Sequence, residues 1–183
     1  MGGAYKDDLR EDIVFFADYL PIYEPETLKH IELKEQFKNK IEKFANNEKL
    51  EKNTIGVHIR FTDKKPTTNL EKLIQYLKKN IHDKKIFLAT DNNSIIEVFR
   101  NNFNGTIIYP KYIPEIAENR GIHHFGLDTN DKKEVGKIIL EDSIIEMYLL
   151  SKCEQLLYQG NSSFSRISKQ FKSDDKCYDW LLI

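Results

Sequence analysis

The sequence predicts an α/β fold in which helices cover a Rossmann-like, mainly parallel sheet. Short apolar segments bounded by turn residues alternate with amphipathic helical patterns, and the connections are long enough for the crossovers that parallel strands require. Four segments have the β-branched and aromatic content of buried strands. They span residues 55–60, 86–90, 106–109 and 155–159.

The helices between these strands are predicted from apolar residues that recur every three or four positions. Asn69 is placed to cap the helix after the first strand, and Asn92 or Asn93 to cap the next one. A polar loop over 111–133 is longer than compact domains usually leave without regular structure. The predicted helical patterns span 26–44, 70–77, 95–103, about 135–151 and about 160–171.

Residues 1–50 differ from the rest of the chain. They carry two helical patterns separated by Pro21, and they end in a surface turn rich in Lys, Glu and Asn. We therefore divide the chain into a helical amino-terminal segment, residues 1–50, and a Rossmann-like domain, residues 51–183. A length of 183 residues allows one domain with such an appendage.

Composition argues against several classes of function. With 28 Lys and Arg against 29 Asp and Glu, the net charge of −1 gives no overall field to attract nucleic acid, so no nucleic-acid partner is expected. The two cysteines, Cys153 and Cys177, are too few for a disulfide framework. Neither a signal peptide nor a stretch of roughly 18 apolar residues is present, and we expect a cytoplasmic protein.

Common motifs for phosphate binding, dinucleotide binding and acyl transfer are missing from the sequence. It contains no G-x-x-x-x-G-K-[ST], no G-x-G-x-x-G after a strand and no G-x-S-x-G. His123 and His124 are adjacent and cannot share one helical face as a zinc pair would, and no carboxylate spacing completes a metal set. We expect no metal.

Polar side chains cluster where the predicted strands end. The carboxyl ends of parallel strands meet at one edge of the sheet, and ligands of open α/β sheets bind beyond that edge. Alternation along the first strand places His58 and Arg60 on the same face. The clustered residues are His58, Arg60, Asp63 and Lys64 after the first strand, Asp91 after the second, and Ser162 and Ser163 after the fourth.

Arg60 is the most informative of these residues. Only five of the 28 cationic residues are arginines, so an arginine at the end of an apolar strand suggests a need for its fork of donors, which matches phosphate oxygens. The helix start at Ser162 and Ser163 adds unpaired backbone N–H groups and the positive end of a helix dipole. Together these features predict a diphosphate site.

Structural interpretations of the same residues remain open. Arg60 could pair with Asp63 or Asp91 as a bridge within the fold, and His58 could be a hydrogen-bonded core histidine. Ser162 and Ser163 could be a helix cap, and Asp91 could cap the helix that follows it. Only their coincidence at one sheet edge favours a ligand site.

These residues carry a resemblance to the fucosyltransferases that use GDP-fucose, the α1,6-type and nodulation-type enzymes and their bacterial relatives. It covers about residues 55–168. The first motif, a strand end of the form His-x-Arg-Arg-x-Asp, reads His-Ile-Arg-Phe-Thr-Asp at 58–63. The second, Ala-Thr-Asp-Asp, reads Ala-Thr-Asp-Asn at 89–92. The third is a long helix ending in Leu-Ser, then a strand and a Ser-Ser helix start, at 146–165.

The resemblance implies the carboxyl-terminal, GT-B-like donor domain of such an enzyme, with GDP lying across the strand ends. It implies an inverting, metal-independent glycosyltransferase that takes fucose from GDP-fucose to a glycan or glycolipid acceptor, without a cofactor. It leaves open peripheral membrane association and a partner chain that supplies the acceptor site. By position, Arg60, Asp63 and Lys64 form the catalytic set, and the donor contacts are His58, Arg60, Asp91, Glu146, Ser162 and Ser163. Among these, Arg60 grips the β-phosphate and Glu146 the guanine edge.

Three positions depart from the family pattern. Phe61 replaces the second arginine of the first motif, and Asn92 the second acid of the second motif. Thr68 stands where the α1,6-type enzymes carry the carboxylate suspected of deprotonating the acceptor; Glu71 lies one helical turn away. The alternative hypotheses are therefore a truncated or inactive nucleotide-binding domain and a scaffold in which the polar clusters are structural.

Overall fold

The computed structural model describes residues 32–63, 65–81, 83–114, 130–172 and 175–183. Predictions for residues 1–31, for Lys64, and for His123 and His124 lie outside the described residues. The described residues belong to one unit, Glu32–Ile183. Its elements are α1 (Glu35–Glu48), β1 (Thr54–Ile59), α2 (Thr67–Asn80), β2 (Lys85–Thr90), α3 (Asn93–Asn102), β3 (Thr106–Ile107), α4 (Asn130–Lys152), β4 (Gln155–Tyr158), α5 (Ser163–Phe171), β5 (Cys177–Asp179) and a 3-10 turn (Trp180–Leu182).

The five strands form one sheet in the order β3-β2-β1-β4-β5, and every neighbouring pair is parallel. The predicted Rossmann-like, α/β sheet is therefore confirmed. β1 is the central strand, between β2 and β4, and all six of its residues are buried. The carboxyl ends of β1, β2 and β4 consequently lie side by side at one edge.

Alternating side chains of the strands divide the core into two layers. Ile55, Val57 and Ile59 of β1 pack with α2, α3 and the 3-10 turn on one face of the sheet. On the other face, Phe87 and Ala89 of β2 pack with α1 and α4. This two-sided burial explains why the strands read as continuous apolar runs rather than as alternating ones.

Several predicted boundaries change in the structure. The side chain of Asn92 caps α3 by accepting from the N–H of Ser94 at 2.9 Å, as predicted. The prediction for Asn69 is wrong, because α2 already begins at Thr67 and the Asn69 amide donates to the carbonyl of Leu181 at 3.0 Å. α4 begins at residue 130, before the predicted 135, and β3 is only two residues long.

The sequence patterns missed β5 and the 3-10 turn after it. β5 is a three-residue edge strand with no buried residue, so it lacks the apolar signature of the other strands. The turn nevertheless places Trp180 in the core, fully buried. No helix in the described part of the chain is long and apolar enough to cross a membrane.

Candidate functional site

Arg60 follows β1 directly and is anchored at both its backbone and its side chain. Its N–H donates to Oε1 of Gln159 at 2.8 Å, which ties the end of β1 to the end of β4. Its guanidinium pairs with Asp63, with Nε 2.6 Å from Oδ1. The pair uses two of the five guanidinium N–H groups, and 21% of the Arg60 side chain is exposed, so donors remain accessible to an anion.

Asp91 braces the loop that carries Arg60. One carboxylate oxygen accepts from the N–H of Phe61 at 2.7 Å and the other from the hydroxyl of Thr62 at 2.6 Å. Because Asn92 rather than Asp91 caps α3, the helix-cap interpretation of Asp91 is wrong. Arg60 pairs with Asp63, so Asp91 acts on the site by holding the segment next to Arg60.

His58 is buried within a chain of hydrogen bonds that joins β1 to α5. Its Nδ1 contacts the hydroxyl of Ser165, and that hydroxyl also accepts from the N–H of Gln159 at 3.0 Å. The imidazole stacks on Phe164 with ring centres 4.6 Å apart. Since the Ser165 hydroxyl has no other acceptor among the described residues, we assign its hydrogen to Nδ1, which makes His58 neutral and protonated at Nε2.

Burial, together with the positive charges of Lys111 and Arg60, lowers the pKa of His58 from 6.5 to about 3. The folded state therefore resists protonation of His58 over a range where the unfolded chain accepts a proton. The resulting stabilisation is complete above pH 6.5 and is lost as the pH falls from 6.5 toward 3.

Replacing His58 with asparagine is expected to flatten this acid dependence. Below pH 6.5, the wild-type free energy of unfolding falls by up to about 1.4 kcal/mol per pH unit more steeply than that of His58→Asn. Urea unfolding followed by circular dichroism between pH 7.5 and 4.5 measures the difference. Because both proteins contain the same carboxylates, the difference between their free energies of unfolding cancels the contribution of carboxylate titration. Parallel stability profiles would contradict a buried, neutral His58.

Ser162 occupies the N-cap position of α5, but its side chain does not cap the helix. The residue is fully buried, and its hydroxyl oxygen has no hydrogen-bond partner among the described residues. Ser163, by contrast, is exposed. The cap interpretation therefore leaves the Ser162 hydroxyl unexplained, whereas an anion at the start of α5 would give it a partner.

The turn before α5 is fixed by a close approach to the end of the chain. The N–H of Gly160 donates to Oδ1 of Asp179 at 3.0 Å, and the same oxygen accepts from the N–H of Leu181 at 3.1 Å. A Cβ on Gly160 would lie 1.9 Å from Oδ2 of Asp179, so a larger residue would push this carboxylate away from its hydrogen bonds. The start of α5 is thus held from both sides, by β1 through Gln159 and by the carboxyl terminus through Asp179.

Glu146 and Lys111 form a buried ion pair in the same region. Nζ of Lys111 lies 2.5 Å from Oε2 of Glu146, and their side chains are only 9% and 2% exposed. Oε1 of Glu146 is buried and has no hydrogen-bond partner among the described residues. Burial raises the pKa of Glu146, and the charge of Lys111 opposes that rise.

Sequence reasoning missed Lys111. It follows Pro110 just beyond the third predicted strand, so the strand-end criterion that selected Arg60 and Asp91 would also have selected it. Lys111 contacts Glu146 directly, and Lys111 is near enough to His58, and Asp91 to Glu146, for their charges to interact. The edge thus combines a guanidinium, a helix start with a buried hydroxyl, and a buried ammonium–carboxylate pair. Such a set can hold a diphosphate joined to a hydrogen-bonding ring.

The sequence matches no protein-family model and no curated protein. Among solved structures, the fold matches crystal structures of the NodZ α1,6-fucosyltransferase. The structure of NodZ co-crystallised with GDP aligns with a TM-score of 0.56 and 20% identity over 78% of this chain. This chain has a fucosyltransferase-like fold. NodZ soaked with GDP-fucose aligns with a TM-score of 0.57 over 79% of the chain, and NodZ from Bradyrhizobium with 0.57 over 78%, both at 20% identity.

The alignment covers only part of NodZ. It spans 43% of the NodZ chain in the GDP structure and 44% in the GDP-fucose structure. The chain therefore corresponds to less than half the length of these enzymes. At 20% identity the likeness establishes the fold, and the chemistry has to be argued from the residues at the strand ends.

Proposed function

We propose that this protein is a glycosyltransferase that binds GDP-fucose and transfers fucose to a glycan or glycolipid acceptor. The observation that carries the proposal is the meeting of Arg60 and the α5 start at adjacent strand ends. Gln159 ties the two together, and the buried hydroxyl of Ser162 has no partner among the described residues. GDP and GDP-fucose are the ligands named for the matching NodZ structures, and both carry a diphosphate.

In the proposed reaction the acceptor hydroxyl attacks the anomeric carbon in line with the bond to the β-phosphate. The new carbon–oxygen bond forms on the opposite face, so the configuration inverts, and GDP leaves with the bonding electrons. Arg60 and the N–H groups of α5 stabilise the charge that develops on the diphosphate. Asp63 fixes the orientation of the Arg60 guanidinium. The proposal includes no metal ion, in keeping with the family resemblance.

The base that takes the acceptor proton belongs to the acceptor side in this proposal. Thr68 is a poor base at neutral pH; it is exposed in the first turn of α2, and Glu71, three residues further along the helix, is exposed as well. The proposal includes Lys64 in the catalytic set on the strength of the family resemblance alone. A partner chain or a further segment would complete the acceptor site.

Isothermal titration with GDP and GDP-fucose tests the proposal. We expect binding of both in the presence of EDTA, together with slow release of GDP from GDP-fucose that a glycan acceptor accelerates. Absence of heat with either ligand at millimolar concentration would refute the proposal. UDP-glucose serves as the control donor.

A second function is favoured by Phe61, which replaces a cation of the first motif, and by the partial coverage of NodZ. In that case the chain binds the nucleotide without turnover, either alone or as one half of an assembly. It predicts GDP binding with no release of GDP from GDP-fucose, with or without acceptor. Turnover assays on the protein that gave heat with GDP separate the two functions.

A further inference from the structure

The Lys111–Glu146 pair has a feature that a purely structural ion pair does not require. Two charged side chains are almost fully buried, which is costly unless every polar atom is paired. One carboxylate oxygen of Glu146 accepts from Lys111, whereas Oε1 has no partner among the described residues. A buried acceptor left in this state indicates that a ligand group completes the pair.

The pair offers its hydrogen-bonding groups in a definite order. Nζ of Lys111 lies on the Oε2 side of the carboxylate, so the sequence of groups is one donor followed by two acceptors, Oε2 and Oε1. The ammonium has three hydrogens and gives one to Oε2, so it can donate to a second oxygen beside the carboxylate. The complementary ligand edge has one acceptor followed by two donors.

Among the common nucleobases, guanine alone has this edge. Its O6 accepts, and its N1–H and 2-amino group donate, in that order. Adenine and cytosine place an amino group where the ammonium needs an acceptor. Uracil and xanthine turn a carbonyl oxygen toward Oε1, and hypoxanthine leaves Oε1 unpaired because it lacks the 2-amino group.

We propose that Lys111 selects guanine together with Glu146, with Nζ donating to O6, Oε2 accepting from N1–H and Oε1 accepting from the 2-amino group. This inference rests on the proposed function, since the nucleotide lies with its diphosphate at Arg60 and the start of α5. The family resemblance assigns a carboxylate to the base, and the structure adds the ammonium. Lys111 is therefore a specificity-determining residue that the sequence motifs do not contain.

The location of Lys111 fits this role. The loop after β3 carries Lys111 to the edge where the charges of Lys111 and Arg60 both act on His58. Glu146 lies on α4, which packs on the sheet face that carries Phe87 and Ala89, and the negative charge of Asp91 acts on its carboxylate. The base site and the diphosphate site therefore share one sheet edge, as a single nucleotide requires.

The test compares the affinities of GDP, IDP and ADP by isothermal titration. The wild type is expected to bind GDP about tenfold or more tightly than IDP, which lacks only the group facing Oε1, and to prefer GDP over ADP by a larger factor. In Lys111→Met, we expect the ratio of GDP affinity to ADP affinity to fall, while GDP still binds more tightly than IDP. In Glu146→Gln, we expect GDP and IDP to bind with equal affinity.

Because Lys111→Met leaves a buried carboxylate alone, a double variant protects the test against misfolding. Lys111→Met with Glu146→Met removes both charges and keeps an apolar pair of similar volume, a change that proteins often tolerate. Its affinities for GDP, IDP and ADP are expected to agree within about threefold. The matched control replaces Lys84 and Glu154 with methionine. This pair, 3.0 Å apart, precedes β2 and β4 at the opposite edge, and its loss should leave the GDP preference intact.

The outcomes separate this inference from the proposed function. If the wild type binds none of the three nucleotides, both are refuted. If the wild type binds GDP but does not prefer it, or if the folded double variant keeps the preference, the role of Lys111 is refuted and the proposed function stands. A reduced ratio of GDP affinity to ADP affinity in folded Lys111→Met, with the ratio retained in the Lys84 and Glu154 control, supports the role of Lys111, and an unchanged ratio in folded Lys111→Met refutes it.

Discussion

Replacing Arg60 with alanine is expected to weaken GDP binding by about ten- to a hundredfold, because at least one charge-assisted hydrogen bond to the diphosphate is lost. We expect the substitution to change the stability of the fold only slightly. The Arg60–Asp63 pair is partly exposed, with 21% and 24% of the side chains accessible, and such pairs contribute at most about 1 kcal/mol to stability. Isothermal titration with GDP and the midpoint of thermal unfolding measure the two effects.

Two further variants sharpen this prediction. Arg60→Lys keeps the charge but loses the fork, so we expect it to recover only part of the affinity. Arg100→Ala removes an exposed arginine from the last turn of α3 and should change neither quantity. A large drop in the unfolding midpoint of Arg60→Ala with unchanged GDP affinity would instead favour the scaffold hypothesis.

Replacing Trp180 with alanine is expected to have the largest effect on stability, a loss of about 3–5 kcal/mol in the free energy of unfolding. Trp180 is fully buried against β1 and α2, and no other described residue of comparable volume lies as near the carboxyl terminus. Its Nε1 donates to the carbonyl of His58 at 3.0 Å, so the substitution also removes a partner from the strand end at the site. Urea unfolding followed by circular dichroism gives the value.

Leu182→Ala is the matched control for Trp180, since Leu182 lies in the same 3-10 turn and is 85% exposed. We expect a change of less than about 0.5 kcal/mol for this variant. Trp180→Phe keeps most of the apolar volume but removes the hydrogen bond to the His58 carbonyl, so it should fall between the two. Equal stabilities of the alanine variants would show that the turn does not belong to the core.

The sheet could be predicted from the sequence because its inner strands, β1, β2 and β4, are buried on both faces. Such strands appear as apolar runs, and His58, Arg60 and Asp91 mark their ends. β5 could not be found in this way. It is formed by pairing with β4 at the edge, and its Tyr178 is 49% exposed, so no local pattern distinguishes it from a loop.

Part of the candidate site can be proposed from the sequence for the same reason. Residues at strand ends converge by topology, and a single sequence suffices to propose Arg60, His58 and Ser162 together. Whether a polar group is satisfied depends on contacts between distant segments. The unpartnered oxygens of Ser162 and Glu146, and the ion pair across 35 residues between Lys111 and Glu146, appear only in three dimensions.

Trp180 is the only tryptophan in the chain, and its indole N–H is bound to the backbone of His58 beneath the site. Its intrinsic fluorescence therefore comes from one known place, at the boundary between the core and the strand ends. Any ligand that shifts the end of β1 would change the emission of this indole without a label. The fluorescence of this tryptophan can therefore report both ligand binding at the sheet edge and unfolding of the core in a single sample.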